Sequence, residues 1–305
     1  MTGTIVRILV TVVLVAGIAP LLEGIMRKLK AVVHSRKGPP LYQPYIDIVK
    51  LLGKEDLRTS NSPVFRLAPL VCFGSVLTAA LFLPFGFGPA AGGAGDMIAF
   101  VYFISFSSVA IILGGLASAN PYSGVGSSRE LMMLFTAEPV LAVSLVVAGI
   151  KAQSLMMSDL PLSGFSISMG LAAIGLFLVT QAQIAKLPFD VVEAEQEIME
   201  GPFIEYSGPS LALFKWSFYM KAFVFATLFW RVFVNWPDFH AYGVAHTLAV
   251  VLNIAANALQ AVVLLVVLAL VDATNPRLRI DQSLRYCSVL IFVVMCGLMF
   301  AFIGS

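Results

Sequence analysis

The sequence predicts an all-α integral membrane protein, a bundle of eight transmembrane helices forming one transmembrane domain over residues 1–305, and three observations predict it. Hydrophobic residues make up 59% of the chain and charged residues only 12%, with a mean hydropathy of +0.92, far outside the soluble globular norm. Apolar windows of about 20 residues, enough to cross a hydrocarbon core roughly 30 Å thick, recur along the whole chain. They are not cut into the short alternating segments that build a membrane β-barrel.

Taken in order, the spans fall at 4–22, 67–86, 97–117, 131–150, 167–185, 211–232, 247–271 and 287–303. The first has the length of a secretory leader, but no small-residue cleavage site precedes a mature soluble protein, so it is expected to stay as a helix. The odd-numbered loops hold Arg27, Lys28, Lys30, Arg36, Lys37, Lys50, Lys54, Arg58, Arg66, Arg129, Lys186, Arg277, Arg279 and Arg285, against only Arg7, Lys151 and Arg231 on the other side. The positive-inside rule therefore places the odd loops in the cytoplasm and both termini outside. Connections on the outer side, such as FGPAAGGAG, are short and rich in Gly, Pro and Ser.

The long first loop carries YQPYIDIVKLLGKE, where Tyr45, Ile48, Val49 and Leu52 fall at helical spacing. A helix here could lie on the lipid surface, with basic residues near acidic headgroups, or offer a docking face to a partner.

Between the fifth and sixth spans the stretch KLPFDVVEAEQEIMEGPFIEYSG concentrates Asp190, Glu193, Glu195, Glu197, Glu200 and Glu205. Pro188 and Gly201-Pro202 bracket room for about three helical turns. At helical spacing Asp190, Glu193, Glu197 and Glu200 would share one face, with Glu195 opposite. Like charges so placed repel by a few tenths of a kcal/mol per pair, so helix propensity does not explain them. A solvated acidic face is the plain alternative.

Ionisable groups inside the spans weigh against it. Glu138 lies about two turns into the fourth span with Glu130 at its mouth, and Lys215 and Lys221 lie in the sixth. A charge at the centre of a span costs about 3 kcal/mol, so it normally faces a protein interior or a wet cavity. Lys215 can snorkel to the interface; Lys221 is too deep for that. Asn253, Asn257 and Gln260 form a polar stripe toward Asp272 that ordinary interhelical hydrogen bonding accounts for. A row of carboxylates can pass protons, because neighbouring charges spread their pKa values.

Three cysteines, Cys72, Cys287 and Cys296, sit scattered in apolar segments, and His34, His240 and His246 are isolated. No disulfide framework, cluster-binding pattern or metal-ligand spacing is indicated, nor any phosphate loop or nucleophilic triad. Catalysis by this chain alone is not expected.

KLPFDVVEAEQEIMEGPFIEYSG resembles the signature loop of the membrane subunit that joins the hydrophilic and membrane arms of respiratory complex I and of energy-converting nickel-iron hydrogenases. RKGPPLYQPYIDIVKLLGKE (36–55), GSSRELMMLFTAEPVLA (126–142) and NPRLRIDQ (275–282) agree with it, in order along nearly the whole chain. Met26 rather than Glu before Arg27-Lys28, a shorter Gly-Pro insert in the first loop, Glu-Gly-Pro in the acidic loop and Arg129-Glu130 all resemble the formate hydrogenlyase and Ech types more than complex I.

The resemblance implies a noncatalytic subunit of a membrane-bound oxidoreductase in the cell inner membrane, without cofactors of its own. Its expected partners are a nickel-iron large subunit, an iron-sulfur small subunit and antiporter-like membrane subunits; no nucleic acid is expected. By motif position it implies a proton relay through Glu138, Asp190, Glu193, Glu195, Glu197 and Glu205; the ionisable neighbours Glu130, Glu200, Lys221 and Asp272 join the relay candidates, and Arg36, Lys37, Asp47 and Lys50 of the first cytoplasmic loop are the docking candidates. Gln183 stands where the family often has Glu, which interrupts a purely carboxylate chain. A quinone-site subunit of complex I and a purely structural anchor remain open, while a stand-alone transporter lacks the expected repeats.

Overall fold

The computed structural model describes residues 2–57, 59–90, 96–160, 166–193, 195–234, 239 and 246–303. Arg58, His240, part of the FGPAAGGAG loop and the side chains of Glu195 and His246 lie outside the described residues. The helices run α1 (Thr2–Val33), α2 (Gln43–Leu52), α3 (Pro63–Leu81), α4 (Met97–Ala117), α5 (Pro121–Ala152), α6 (Ile167–Gln183), α7 (Glu195–Ile198), α8 (Gly208–Phe233), α9 (His246–Thr274) and α10 (Ile280–Ile303), with a 3-10 turn at Gly201–Phe203. No strand occurs among the described residues.

Seven of these helices are long and apolar enough to cross a membrane, and α6, at the fifth expected span, is a shorter apolar helix. The protein is a multi-pass membrane protein. Three helices outrun their expected spans: α10 begins at Ile280, so that Arg285 too rides on a helix, and two others run further. α1 continues to Val33 and α5 begins at Pro121, each with 32 residues, about 48 Å at 1.5 Å per residue. Arg27, Lys28, Lys30, Arg129 and Glu130 therefore ride on helices rather than in loops, because the polar last turns are held by protein neighbours. The N-terminal limits carry the expected signals: Asn120 caps α5 ahead of Pro121, and Asp96 caps α4.

α8 is the most enclosed of the seven. It packs against α1, α2, α3, α6 and α9, while α5 contacts α4, α6 and α10. Its buried face (Met220, Phe223, Phe225 and Leu228) joins the main apolar core, and Phe214 a second cluster with Phe203 and Tyr206. That position is why a lysine on α8 faces protein and not lipid.

Pro20 sits inside α1 and has no N–H to give the carbonyl of Ala16. Trp216 Nε1 of α8 donates to that oxygen at 3.0 Å, and the Tyr45 hydroxyl of α2 donates to the next carbonyl, Gly17. Helix α2 thus forms as expected, with one part of its apolar spacing turned to the bundle and the rest outward. Pro44 and Ile48 are its buried residues, whereas Val49 is 67% exposed.

The acidic loop departs furthest from expectation. One helical turn, α7, replaces the three that its length allows, so Asp190, Glu193, Glu197 and Glu200 share no helical face. Burial decides this: Phe189, Val191, Val192 and Ile198 are all buried, and their irregular spacing suits a wound loop better than a helix. Small residues let the loop seat. A Cβ on Gly126 of α5 would lie 2.5 Å from Pro202 Cδ and 2.8 Å from Gly201 Cα. Gly126→Val is expected to cost about 1–3 kcal/mol by overpacking, read as a lower midpoint in chemical unfolding of the detergent-solubilised protein.

Candidate functional site

The KLPFD turn leaves α6 through Ala185, whose φ of 50° is left-handed, and is tied down by backbone contacts. Leu187 N–H donates to Asp272 Oδ1 at 3.1 Å, and Leu278 N–H donates to the Pro188 carbonyl at 3.0 Å. Gln181 Nε2 donates to the carbonyls of Leu187 and Leu268. Beneath, Phe189 and Val192 pack with Met133 and Cys287. The loop's apolar residues are its anchors, which leaves the acids to face space.

That space is a cavity of about 310 Å³ between α1, the loop and α9, whose lining includes Glu23, Arg27, Lys30, Lys186, Asp190, Glu193 and Asp272. Glu23, only 3% exposed, is its hub. Its Oε1 takes Lys186 Nζ at 2.9 Å and Arg27 Nε at 3.2 Å. Arg27 reaches on to Asp47 Oδ2 at 2.9 Å and donates to the Tyr219 hydroxyl at 2.7 Å. Lys30 pairs with Asp272 at 2.9 Å, a tie between α1 and α9.

Two smaller cavities continue inward. One of about 180 Å³ shares Glu23, Arg27, Lys186 and Glu193 with the first and adds Lys215 and Phe218. The next, about 20 Å³, shares Ala185 and Phe218 and is lined by Ser108, Glu130, Gln183 and Lys221. A site of that size holds about one water. Lys221, 4% exposed, donates to Ser108 Oγ at 3.3 Å and lies within electrostatic range of Glu130 and Glu138.

The loop carboxylates differ in kind. Burial, reinforced by the negative charge of Asp190, pushes Glu193 up to about 7, against the pull of Lys186 and Lys215. Burial would lower Lys186, but the Glu23 carboxylate overrides it and holds the ammonium above its ordinary range. Glu197 goes the other way: a hydrogen bond from Arg129 holds it below the carboxylate range, helped by Arg277 and Arg279. The Arg129 Nη1 to Glu197 Oε2 distance is 2.7 Å, and Arg129 also donates to the Val191 carbonyl. Among the shifted loop carboxylates Glu193 is the one brought near neutrality, and Arg129 clasps Glu197. A carboxylic acid infrared band is expected to disappear with a midpoint near pH 7 as Glu193 ionises, and to be missing from Glu193→Gln.

The remaining expected residues spread out. Glu200 bears electrostatically on Glu193; Glu205 accepts a hydrogen bond from Asn120 Nδ2 at the start of α5, away from the cavity. Glu195 opens α7. Asp47 is engaged by Arg27 and by Gln43, while Arg36, Lys37 and Lys50 are exposed or partly so. Asn253 accepts from Phe239 N–H and Asn257 donates to Thr227 at the long limit of 3.5 Å. Glu23, Lys186, Lys215, Ser108 and Tyr219 complete the site although they are absent from the expected relay. The signal for Glu23 was its i, i+4 spacing from Arg27.

An all-helical membrane fold that carries a charged loop and a branching buried ion-pair network at one end defines a class: subunits that work inside a larger membrane complex. The sequence profile of the NADH dehydrogenase family matches residues 5–303, and the chain belongs to that family. It is 36% identical to formate hydrogenlyase subunit 4 of Escherichia coli (strain K12), over 97% of this chain and 96% of the relative. It is 39% identical to hydrogenase-4 component C of the same organism, over 73% of each. Among solved structures, a chain of the membrane-bound sulfane sulfur reductase, an archaeal respiratory membrane complex, superposes with a TM-score of 0.88 at 26% identity, covering 98% of this chain and 99% of that one. This chain is a membrane subunit of a respiratory-type oxidoreductase complex.

Proposed function

We propose that the chain anchors a hydrogen-evolving complex in the cell inner membrane and carries its protons from the acidic loop into the bilayer. The observation that carries this reading is the run of three cavities with shared walls, from Asp190 and Glu193 past Lys215 to Glu130 and Lys221. Glu138 lines none of the three cavities but lies within electrostatic range of Lys221 and is the next carboxylate of the path, and Lys221 stands beside the untitratable Gln183. In this arrangement α6 makes the eighth crossing, the odd loops face the cytoplasm and both termini lie outside. Arg36, Lys37 and Lys50 dock the soluble arm. The nickel-iron and iron-sulfur centres belong to the large and small partner subunits, since a cluster needs a set of thiolates and the cysteines here are one on α3, Cys72, and two on α10, the buried Cys287 and the exposed Cys296.

The complex I reading puts a quinone in the first cavity. Seven charged groups among its thirteen lining residues make a poor bed for an apolar isoprenoid tail, which favours the hydrogenase reading.

The test uses vesicles holding the intact complex, with reduced methyl viologen as donor. Glu193→Gln is expected to lower the protons moved per dihydrogen released at least fivefold while the complex still assembles. An unchanged ratio overturns the relay.

A further inference from the structure

Between α4 and α5 lies a lateral groove of about 400 Å³, separate from the charged cavities. Its walls are apolar, and two of its aromatic residues face outward almost fully: Tyr102 is 72% and Phe135 67% exposed. The groove runs from Glu138, near the middle of α5, to Met97 and Leu155 beyond the end of α5 at Ala152. Fourteen helical residues cover about 21 Å, room for several turns of a second helix.

Two acceptors sit at the deep end. Glu138 is half-buried and lines the groove. Its neighbour Pro139 lies inside α5 and has no N–H for the carbonyl of Phe135. Lys221 acts on Glu138 electrostatically, but no hydrogen bond or ion pair to the Glu138 carboxylate is found among the described residues. Acyl chains carry no donors, so lipid in this groove offers neither oxygen a partner.

We propose that the groove seats a transmembrane helix of a second membrane subunit, which presents a lysine or arginine side chain to Glu138 and the Phe135 carbonyl. An ammonium or guanidinium fits because it has several donors for two acceptors and a charge to match the carboxylate. The apolar walls supply the remaining contact. This rests on membership of a multi-subunit membrane complex; Glu193 and Lys221, which test the relay, do not line the groove, so the two can fail separately.

The test is made in the intact complex with a photo-crosslinking benzophenone residue at Tyr102. Crosslinking to a membrane polypeptide of the complex is expected; adducts to lipid alone overturn the proposal, whatever the coupling ratio. Glu138→Lys should lower the crosslinked subunit in the purified complex at least tenfold, and an acidic residue at the contacting basic position should restore it. Retention of that subunit in Glu138→Lys overturns the basic partner. Ala142→Trp fills the groove without changing charge and guards against a folding artefact. It should also displace the subunit by tenfold or more while the chain itself purifies normally, and retention of the subunit counts against the seat.

Discussion

Lys221→Met is expected to cut the protons moved per dihydrogen released at least tenfold, with the soluble arm still attached. Lys221 is enclosed on α8, donates to Ser108 and shares a one-water cavity with Glu130 and Gln183. Gln183 keeps its proton at any working pH, so transfer past it requires another titratable group, and of the two in the same cavity, Glu130 and Lys221, only the ammonium also lies on the side of Ser108. Methionine keeps the length and loses the proton. Lys221→Arg separates transfer from mere charge: arginine stays protonated in proteins, so it should preserve assembly and dihydrogen release yet leave proton movement as low as methionine does. Full coupling with arginine would show that only a fixed positive charge is needed there, and the lysine would leave the relay.

The helices were legible in the sequence because hydrophobic length is a local property, and each expected span corresponds to a helix. Their ends were less so. Nothing local tells that α1 persists through Arg27 and Lys30, since their partners Glu23, Asp47 and Asp272 include residues 20 or more positions away. The acidic loop was legible as a place but not as a shape. Counting carboxylates at helical intervals ignored Phe189, Val191, Val192 and Ile198, whose burial determines how the loop folds. The same blindness to long-range contact grouped Glu197 and Glu205 with Glu193, although Arg129 holds one and Asn120 the other. It also left Glu23 out of the candidate site, because its second cation, Lys186, lies 163 residues away.

Glu23 is therefore where, among the charged residues, the largest loss of stability is expected. Its carboxylate is buried beneath two cations, Lys186 and Arg27, that are each about a third exposed, so the charge left behind by its loss is partly solvated and the cost is about 1–3 kcal/mol. Arg27 retains Asp47 and Tyr219 when Glu23 is lost, whereas Lys186 keeps no ion pair within 4 Å among the described residues. Glu23→Ala should fall in that range, measured as the change in unfolding free energy of the purified subunit in mixed detergent. Glu23→Gln should lose less, because an amide oxygen still accepts from both donors. The strongest check is the combination of Glu23→Leu with Lys186→Met, which removes both charges and refills the volume. It should recover at least half of the loss, since replacing a buried ion pair with apolar side chains is often close to neutral. If the double variant is instead as unstable as the sum of the two singles, the pair is not coupled. The cavity wall would then owe its stability to packing around Met26 and Leu268 and not to the charges that line it.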